Sequence, residues 1–284
     1  MASTEYLAQV RRLLHDASAN YWSDTELLDD INQARNRIAM DTGSVRALVN
    51  FNLSFNQESY PYSGALANLA IASAGASYTA APTIGFTGGG GSGATATASI
   101  SSGTVSSVTI TANGTGYTAA PTISVTGGTV GTTASVTATI MQAFDILNIT
   151  VNYSNSWITL AYTYFSEFQA KARYYRSITG QPALWAKGPP AGTGGGEYFY
   201  IFQIPSASYQ CDIDATLLPT PLVDDTTVEQ LTYPYTDLVQ YYTAYLAKYK
   251  QQEFNDSANF LRIYDELWRR GSAMRYQRRI PNAY

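Results

Sequence analysis

The sequence contains few charged residues. Lys, Arg, Asp and Glu together make up 13% of its 284 residues, about half of the ~25% that is usual in soluble domains. A surface with so little charge is covered by neutral polar side chains or by another protein, and Tyr and Arg are the residues favoured where proteins meet. With 23 tyrosines, the composition favours a protein that works inside an assembly.

Cysteine and histidine each occur once, as Cys211 and His15. A single thiol cannot form a disulfide within the chain, and no cysteine cluster is present for zinc. A metal site or a Ser-His-Asp triad built on one histidine is improbable on the same ground. We therefore expect no enzyme activity, no metal and no cofactor, with His15 on a helix surface and Cys211 buried as a small side chain.

Long apolar runs and a strong net charge are also missing. No stretch approaches the ~18 apolar residues of a membrane span, and the N-terminal segment lacks the apolar region of a secretion signal. The net charge of −4 does not favour nucleic-acid binding by the whole chain. We expect synthesis in a cytoplasm, no membrane partner and no specific binding of DNA.

The N-terminal residues predict a helical hairpin. In the segment YWSDTELLDDINQARNRIAMDTG, Ser23 and Glu26 have the spacing of a capping box, and Trp22 with Leu27 has that of a hydrophobic staple. Gly43 is a stop signal, so a helix is expected from about Asp24 to Asp41. A first helix precedes it, with an apolar stripe at Leu7, Val10, Leu13 and Leu14.

Further periodic segments follow on both sides of the chain centre. Strands are predicted near residues 46–55, 144–153 and 198–204, with the last paired in a hairpin to a strand from Tyr209 to Ala215. The first of these strands, which ends near Tyr60, and the strand from Phe144 to Val151 are expected to be neighbours in one sheet. Helices are predicted for a central segment beginning at Trp157 and ending near Tyr175, for a segment following Pro234, and for a last segment capped by Asn255 or Asp256.

The middle of the chain contains a repeat. GASYTAAPTIGFTGGGG begins at Gly75 and GTGYTAAPTISVTGGT begins at Gly114, so Tyr78 and Tyr117 lie 39 residues apart. Glycines permit tight turns and alternating Thr and Ala favour strands, but bulky residues are few, so the copies are expected to stack for stability. No charged residue occurs between Asn68 and Ile140, which indicates an insertion.

These observations lead to an α+β prediction. The expected architecture is a helical bundle, made of the α-hairpin with central and C-terminal helices, a small antiparallel sheet, and an inserted all-β repeat domain. The expected boundaries are 1–67 with 141–284 for the discontinuous main domain, 68–140 for the inserted domain of two repeats, and 270–284 for a basic C-terminal tail.

Several segments resemble phage proteins. GTGYTAAPTISVTGG is similar to the repeats of phage tail and fibre proteins. YWSDTELLDDINQARNRI, QESYPY, ITGQPALWA, IFQIPSASYQCDI and DSANFLRIYDEL, in that order, resemble head-to-tail adaptors, the connector proteins of the tail tubular protein A and gatekeeper-like group. The resemblance covers most of residues 1–67 and 141–284. The inserted repeats depart from the minimal pattern of this group.

The resemblance implies a structural virion protein with no catalysis. Adaptors of this kind form a ring of about twelve copies at the head-tail junction of a podovirus-like tail, between the portal protein and the tail nozzle. DNA passes through the channel during ejection without being specifically bound. The inserted repeats are then expected outside the ring, where docking of tail fibres, clamping of neighbouring subunits, glycan binding and passive decoration are alternatives.

The C-terminal tail supplies the candidate contact residues for the portal. Its arginines can pair bidentately with carboxylates, and its aromatic and apolar residues can fill pockets. The predicted set is Arg269, Arg270, Arg275, Tyr276, Arg278, Arg279, Ile280 and Tyr284. A solvated end and contact with DNA phosphates are the alternative interpretations of the same segment.

Other candidate sites carry weaker signals. The glycine runs at Gly88 and Gly192 lack the Lys-Ser/Thr ending of a phosphate-binding loop. Asp212 and Asp214 share a strand face, as two glycosidase carboxylates can, but a solvated face or ion pairs explain them as well; Asp29 and Asp30 are a similar pair. The alternative functions are thus a carbohydrate-binding tail or fibre protein acting through residues 68–140, and a depolymerase that uses Asp212.

Overall fold

The structure is a computed structural model that describes residues 2–128, 131–174, 178–189 and 197–276, without the side chains of 172–174 and 272–276. The chain divides into two compact units. The helical unit comprises Met1–Arg46 and Thr216–Tyr284, and the β unit comprises Ala47–Ala215. The inserted domain predicted from composition has its boundaries at residues 68 and 140, and both lie inside the β unit.

The helices among the described residues lie mainly near the two ends of the chain. They are α1 (Ser3–Leu14), α2 (Asp24–Thr42), α3 (Phe165–Tyr174), α4 (Thr236–Lys250) and α5 (Phe254–Tyr276). All except α3 belong to the helical unit. The helical unit is therefore assembled from both ends of the sequence.

The bounds of α2 follow from its capping residues. The Ser23 hydroxyl accepts a hydrogen bond from the Glu26 N–H at 3.2 Å, which satisfies one of the free donors in the first turn. Gly43 ends the helix in the left-handed region, with φ of 56°, where glycine has no steric penalty. Trp22 and Leu27 are both buried. The predicted helix and its staple are confirmed.

The core of the helical unit combines the apolar stripes of all four helices. Val10, Leu27, Ile31 and Ile38 from the front of the chain pack with residues of α4 and α5, among them Leu238, Val239 and Tyr264. Tyr6 is fully buried in the same cluster, although the predicted stripe of α1 did not include it. Tyr6, Val10 and Leu14 lie four residues apart, so they form one face of the helix.

The β unit contains most of the strands. They are β1 (Arg46–Leu53), β2 (Ser59–Pro61), β3 (Ser63–Ser73), β4 (Thr83–Thr87), β5 (Ser92–Ser101), β6 (Thr104–Thr115), β7 (Thr122–Thr126), β8 (Ser135–Tyr153), β9 (Ser156–Thr159), β10 (Ala161–Tyr162), β11 (Thr179–Gly180), β12 (Leu184–Gly188), β13 (Tyr198–Phe202), β14 (Ile204–Pro205) and β15 (Tyr209–Leu217).

These strands form four sheets. The host sheet has the order β1-β15-β8-β3, with β9 paired to β8, and the aromatic sheet has the order β10-β12-β13-β2. The repeat sheet has the order β6-β5-β4-β7, and β11 pairs with β14 in a short ladder. The 19-residue strand β8 connects the repeats to the host sheet.

The predicted fold class is wrong. With 28% helix and 40% strand in five helices and four sheets, the described part of the chain is mostly β rather than a helical bundle with a small sheet. The prediction underestimated strands because it counted the charge-free region as an appendage. That region also continues into the host sheet through β3 and β8.

The predicted central helix is the largest local error. Ser156–Thr159 and Ala161–Tyr162 form β9 and β10, and among the described residues of this segment only Phe165–Tyr174 is helical; Tyr175 lies outside the described residues. Ser154 and Asn155 both adopt left-handed φ angles, of 50° and 71°, and such a turn returns the chain antiparallel to β8. The four-residue apolar spacing that predicted a helix begins at Leu160, which lies between β9 and β10, and continues to Phe168 in α3. Both residues are buried, but they do not belong to one helix.

Two predicted strand pairings are also wrong. The strand β13 pairs with β12 and β2 in the aromatic sheet, whereas β15 lies between β1 and β8 in the host sheet, so the two are not a hairpin. The predicted strand ending near Tyr60 is two strands, β1 and β2, and neither is a neighbour of β8. Tyr60 and Phe199 of β2 and β13 stack with ring centroids 5.1 Å apart, and this aromatic packing selects partners that period-two alternation does not distinguish.

The two repeats exchange strands with each other. The first repeat supplies β3, β4 and β5, and the second supplies β6, β7 and the start of β8. The strand β3 pairs with β8, β5 pairs with β6, and β4 pairs with β7. In the last pair Gly85 lies opposite Ser124, its own equivalent 39 residues later. The repeats are therefore related by an approximate two-fold axis, and each completes the other.

Backbone hydrogen bonds show the same exchange. Two bonds from the first repeat to the second have counterparts from the second to the first, shifted by 39 residues. The pairs are Tyr78 N–H to Gly103 O with Tyr117 N–H to Gly64 O, at 2.9 and 3.1 Å, and Thr79 N–H to Gly128 O with Thr118 N–H to Gly89 O, both at 2.8 Å. The repeated sequence thus encodes one set of contacts used twice.

Glycines in the repeat make room for these contacts. A Cβ on Gly75 would lie 2.6 Å from the Thr132 carbonyl oxygen, and one on Gly114 would lie 2.6 Å from the Ala94 nitrogen. Both glycines also have left-handed φ angles and lie against the ring of the tyrosine three residues later. Tyr78 and Tyr117 are each only 4% exposed, so the close approach buries the largest side chain of each copy.

One residue breaks the repeat and attaches it to the host sheet. Asn113 is fully buried, while its equivalent in the first copy is Ala74. The Asn113 amide donates to the carbonyl oxygens of Leu66 and Asn52, at 2.6 and 3.0 Å, and accepts from the Ser54 hydroxyl at 2.7 Å. Its side chain therefore links the repeats to the end of β1.

Equivalent glycine substitutions test the strand exchange. We expect Gly75→Ala and Gly114→Ala each to lower the free energy of unfolding by about 3 kcal/mol or more, because the new Cβ meets backbone atoms as well as a left-handed φ. Gly88→Ala and Gly127→Ala, also 39 residues apart, have left-handed φ angles but nothing within 4 Å of the new Cβ, so about 1 kcal/mol is expected.

Urea denaturation of the four variants, followed by circular dichroism, measures these changes. Unequal effects of Gly75→Ala and Gly114→Ala, or effects no larger than those of the two controls, would contradict reciprocal dependence of the repeats.

Candidate interaction surface of the helical unit

Four of the eight candidate contact residues lie on the last part of α5. Arg269 and Arg270 are exposed side chains on this helix. Arg275 and Tyr276 belong to its last turn, but their side chains are not described. Arg278, Arg279, Ile280 and Tyr284 lie outside the described residues. The expected tail from residue 270 is thus helical as far as Tyr276.

Packing holds this part of α5 in place. Leu267 and Trp268 contact the core of the helical unit, and Gly271 is buried. A Cβ on Gly271 would lie 3.3 Å from the Pro234 ring and 3.6 Å from the Tyr235 ring. The absence of a side chain at Gly271 therefore lets α5 approach the start of α4, and the neighbouring arginines are presented on an anchored helix.

The chemistry of this helix end suits an acidic partner. The segment after Glu266 contains five arginines and no acidic residue. Positive charge near a helix C-terminus is favoured by the helix dipole, and guanidinium groups recognise carboxylates through paired hydrogen bonds. The arrangement can bind carboxylates on another protein, and it provides no nucleophile or acid-base pair.

A second surface is formed by residues 218–234, which we call the strap. Arg35 of α2 holds it with a guanidinium group that is fully buried. Its Nη2 donates to Glu229 Oε1 at 2.9 Å, its Nε donates to Glu229 Oε2 at 3.0 Å, and its Nη1 donates to the Thr220 carbonyl at 2.9 Å. One side chain thus joins α2 to two points of the strap.

Further polar contacts complete the attachment. Asn32 exchanges two hydrogen bonds with the backbone of Leu222, at 3.0 and 2.8 Å. The Asp225 carboxylate accepts from the Ser3 and Thr4 hydroxyls and from the Thr4 N–H. These hydrogen bonds hold the pKa of Asp225 below its ordinary value. The strap is therefore tied to both α1 and α2.

The buried ion pair shifts the titration of Glu229. Burial by itself raises the pKa of this carboxyl, but hydrogen bonds from Arg35 and from the Leu231 N–H, together with the guanidinium charge, outweigh burial and lower it. Asp30 behaves in the opposite way, because burial raises its pKa despite its contact with Lys250. Glu229 therefore stabilises the folded helical unit in its charged form.

The strap presents apolar side chains to solvent. Val223, Val228 and Tyr233 are 73%, 79% and 78% exposed, although the backbone that carries them is held by the contacts above. A second apolar series runs along α4 and onto α5. Its rings lie 5.4 to 5.9 Å apart in the order Tyr242, Tyr245, Tyr249 and Phe254. Exposed apolar groups on an ordered frame are typical of protein contact surfaces.

The weaker candidate sites have structural explanations. Asp212 and Asp214 are half-buried on the face of β15 opposite the buried Cys211, Ile213 and Ala215. His15 caps α1 in a left-handed conformation and is exposed. The glycine run beginning at Gly88 contacts Tyr117, since a Cβ on Gly91 would lie 2.5 Å from that ring. The run at Gly192 lies outside the described residues.

Cys211 is fully buried, as predicted, and burial raises the pKa of its thiol. Within the described ranges, no group of three His, Cys, Asp or Glu side chains is placed to bind a metal ion. No helix in the same ranges has a stretch sufficiently long and apolar to cross a membrane.

Comparison with protein-family models gives no match, and no curated protein matches the sequence at the significance required. The resemblance to phage adaptors therefore rests on the sequence segments quoted above and stays a prediction.

The buried ion pair can be tested by Glu229→Gln. This substitution leaves the Arg35 charge buried without a counter-charge, so we expect the free energy of unfolding at pH 7 to fall by about 3 kcal/mol. Glu266→Gln is the matched control, because the Arg262–Glu266 pair is exposed and such pairs contribute roughly 0–1 kcal/mol.

The pH dependence provides the second arm of this test. Because the folded-state pKa of Glu229 is lowered, its contribution is complete above its ordinary value of 4.5 and is lost as pH falls below that value. The difference between wild type and Glu229→Gln in urea denaturation should therefore shrink below about pH 4.5. Equal effects of the two substitutions at pH 7 would rule out a structural role for the pair.

Proposed function

We propose that this protein is a head-to-tail adaptor of a tailed, podovirus-like phage. Several copies form a ring, with about twelve expected by analogy with the resembling group. The ring lies between the portal protein and the tail nozzle and lets DNA pass during ejection. In this proposal the protein acts in the virion by binding other proteins and performs no reaction.

The observation that carries the proposal is the concentration of charged residues in the helical unit, together with its two candidate contact surfaces. This unit contains 28 of the chain's 38 charged residues. It also carries Arg269 and Arg270 on an anchored helix, and a strap with exposed apolar residues. A ring subunit needs such separate surfaces, because it must contact its neighbours and at least one further protein.

The β unit fits a supporting role in the same assembly. It contains 10 charged residues in 169 positions, and the repeats contain none between residues 68 and 140. With four basic and six acidic residues, the unit has no net positive charge that would attract the phosphates of passing DNA. This composition is consistent with a body that surrounds or decorates a channel.

Glycan binding through the repeats has less support. Aromatic side chains are the usual platforms for sugar rings because they combine an apolar face with a rigid shape. The two tyrosines of the repeats are buried and serve the strand exchange. The third aromatic residue between 68 and 140, Phe86, packs against the apolar clusters of the repeats. Residues 68–140 therefore offer no exposed tyrosine on which a sugar could stack.

Binding to the portal protein encoded in the same genome tests the proposal. Negative-stain microscopy of the mixed proteins should show a ring stacked coaxially on the portal. The double variant Arg269→Glu/Arg270→Glu should reduce co-sedimentation with the portal by about tenfold or more, because both charges facing the carboxylates are reversed.

Arg12→Glu is the matched control for this experiment, since Arg12 is an exposed arginine of α1. It should bind like the wild type. Elongated trimers instead of rings, or a double variant that co-sediments as well as the control, would refute the proposed role of the basic helix end.

A further inference from the structure

The β8–β9 hairpin carries a small polar and aromatic block that the adaptor proposal does not use. The register places Asn152 opposite Trp157 and Thr150 opposite Thr159. Residues two apart on a strand share a face, so these four side chains lie together on one side of the hairpin. The hydroxyl oxygens of Thr150 and Thr159 are 3.4 Å apart, as expected for two side chains on the same face of the hairpin.

The other side of β8 faces the interior, whereas β9 is exposed on both sides, and its Ile158, opposite Val151, is 49% exposed. Ile149, Val151 and Tyr153 are buried, and the Tyr153 ring packs edge-on against Tyr209 with centroids 5.2 Å apart. This packing fixes which side of β8 faces outward. Trp157 is 46% exposed and Thr159 is exposed, while Thr150 and Asn152 are half-buried beside them.

The turn holds the block in a defined shape. Ser154 and Asn155 adopt left-handed φ angles, and the Asn155 N–H donates to the Asn152 Oδ1 at 3.0 Å. This bond orients the Asn152 amide so that its NH2 group is available to a ligand. A preformed site loses less conformational entropy on binding than a flexible one.

The chemistry of the block is neutral throughout. No charged residue occurs from Ile146 to Ser166. An indole ring offers an electron-rich face to the slightly positive C–H groups of a sugar ring, and hydroxyl and amide groups can donate to and accept from sugar hydroxyls. Four side chains are also far fewer than the roughly 20–30 residues that each side of a standard protein interface contributes.

We infer that Trp157, Asn152, Thr150 and Thr159 form a binding site for a neutral oligosaccharide. One sugar ring stacks on the Trp157 indole, and its hydroxyls bond to the amide and the two threonine hydroxyls. The site lies outside residues 68–140 and does not depend on ring formation. It would let an assembled particle contact a neutral cell-surface polysaccharide.

Titration of the full-length protein with cellohexaose, maltohexaose and chitohexaose tests this inference. Trp157 is the most exposed of the four tryptophans, since Trp22 and Trp185 are buried and Trp268 packs in the helical core. Binding should therefore protect tryptophan fluorescence from quenching by acrylamide. Trp157→Ala should weaken binding of the recognised sugar by about tenfold or more, measured by calorimetry.

Two further variants separate a specific site from a general loss of structure. Asn152→Ala should weaken binding less than Trp157→Ala, because it removes a hydrogen bond and keeps the stacking surface. Tyr233→Ala, which removes another highly exposed aromatic ring, should bind like the wild type. Circular dichroism should show each variant to be folded.

Three outcomes would overturn the inference. These are the absence of binding to all three sugars, binding that survives Trp157→Ala, and binding that Tyr233→Ala weakens as much as Trp157→Ala does. If sugar binding is absent and Trp157→Ala instead prevents oligomer formation, the block is a contact between subunits.

Discussion

The helical unit depends on the buried contact between Arg35 and Glu229, which lie 194 residues apart. Two charges buried together cost desolvation energy that only good geometry and further hydrogen bonds offset. Here the guanidinium also bonds to Asn32 and to the Thr220 carbonyl. Because these partners come from both ends of the chain, the contact holds the helices and the strap in one unit and thereby orders the surfaces proposed for binding.

The β unit depends on a different constraint, the reciprocity of its two repeats. Each copy has few bulky residues, so it buries little apolar surface alone. Exchange of strands lets Tyr78 and Tyr117 pack against the glycines of the repeated sequence. The departure from the repeat at Asn113 then secures this structure to β1. The two-fold relation between the copies provides the packing around the tyrosines, and Asn113, whose equivalent in the first copy is Ala74, provides the hydrogen bonds to the end of β1.

The proposed functions follow from how side chains are distributed between the units. Charged residues concentrate in the helical unit, where arginines and an ordered strap with exposed apolar side chains suit protein partners. The β8–β9 hairpin presents neutral polar groups around a tryptophan, which suits a sugar. Both proposals are therefore binding functions, one for a protein partner and one for a sugar.

Sequence patterns predicted the elements whose causes are local. The capping residues and apolar period of α2, the burial of one face of β15, and the existence of two β repeats all follow from local sequence patterns. The copies were expected to stack, but they exchange strands instead. Comparison of Ala74 with Asn113 would have revealed the break in the repeat. The equivalent spacing of Tyr6 to Val10 and Leu14 would have identified its burial in α1.

The errors arose where distant residues decide. The segment Trp157–Tyr162 has apolar spacing compatible with a helix, but β8 supplies partners that make its first part the strand β9, and β12 supplies partners that make its end the strand β10. The same holds for β13 and β15, which pair in different sheets.

The sequence by itself therefore determined the ends of α2, the buried face of β15 and the existence of paired repeats, because these depend on local sequence patterns. Only the tertiary structure decided the mostly β architecture, the pairing of strands and the Arg35–Glu229 contact, because the free energy of each comes from partners that the chain brings together only when it folds.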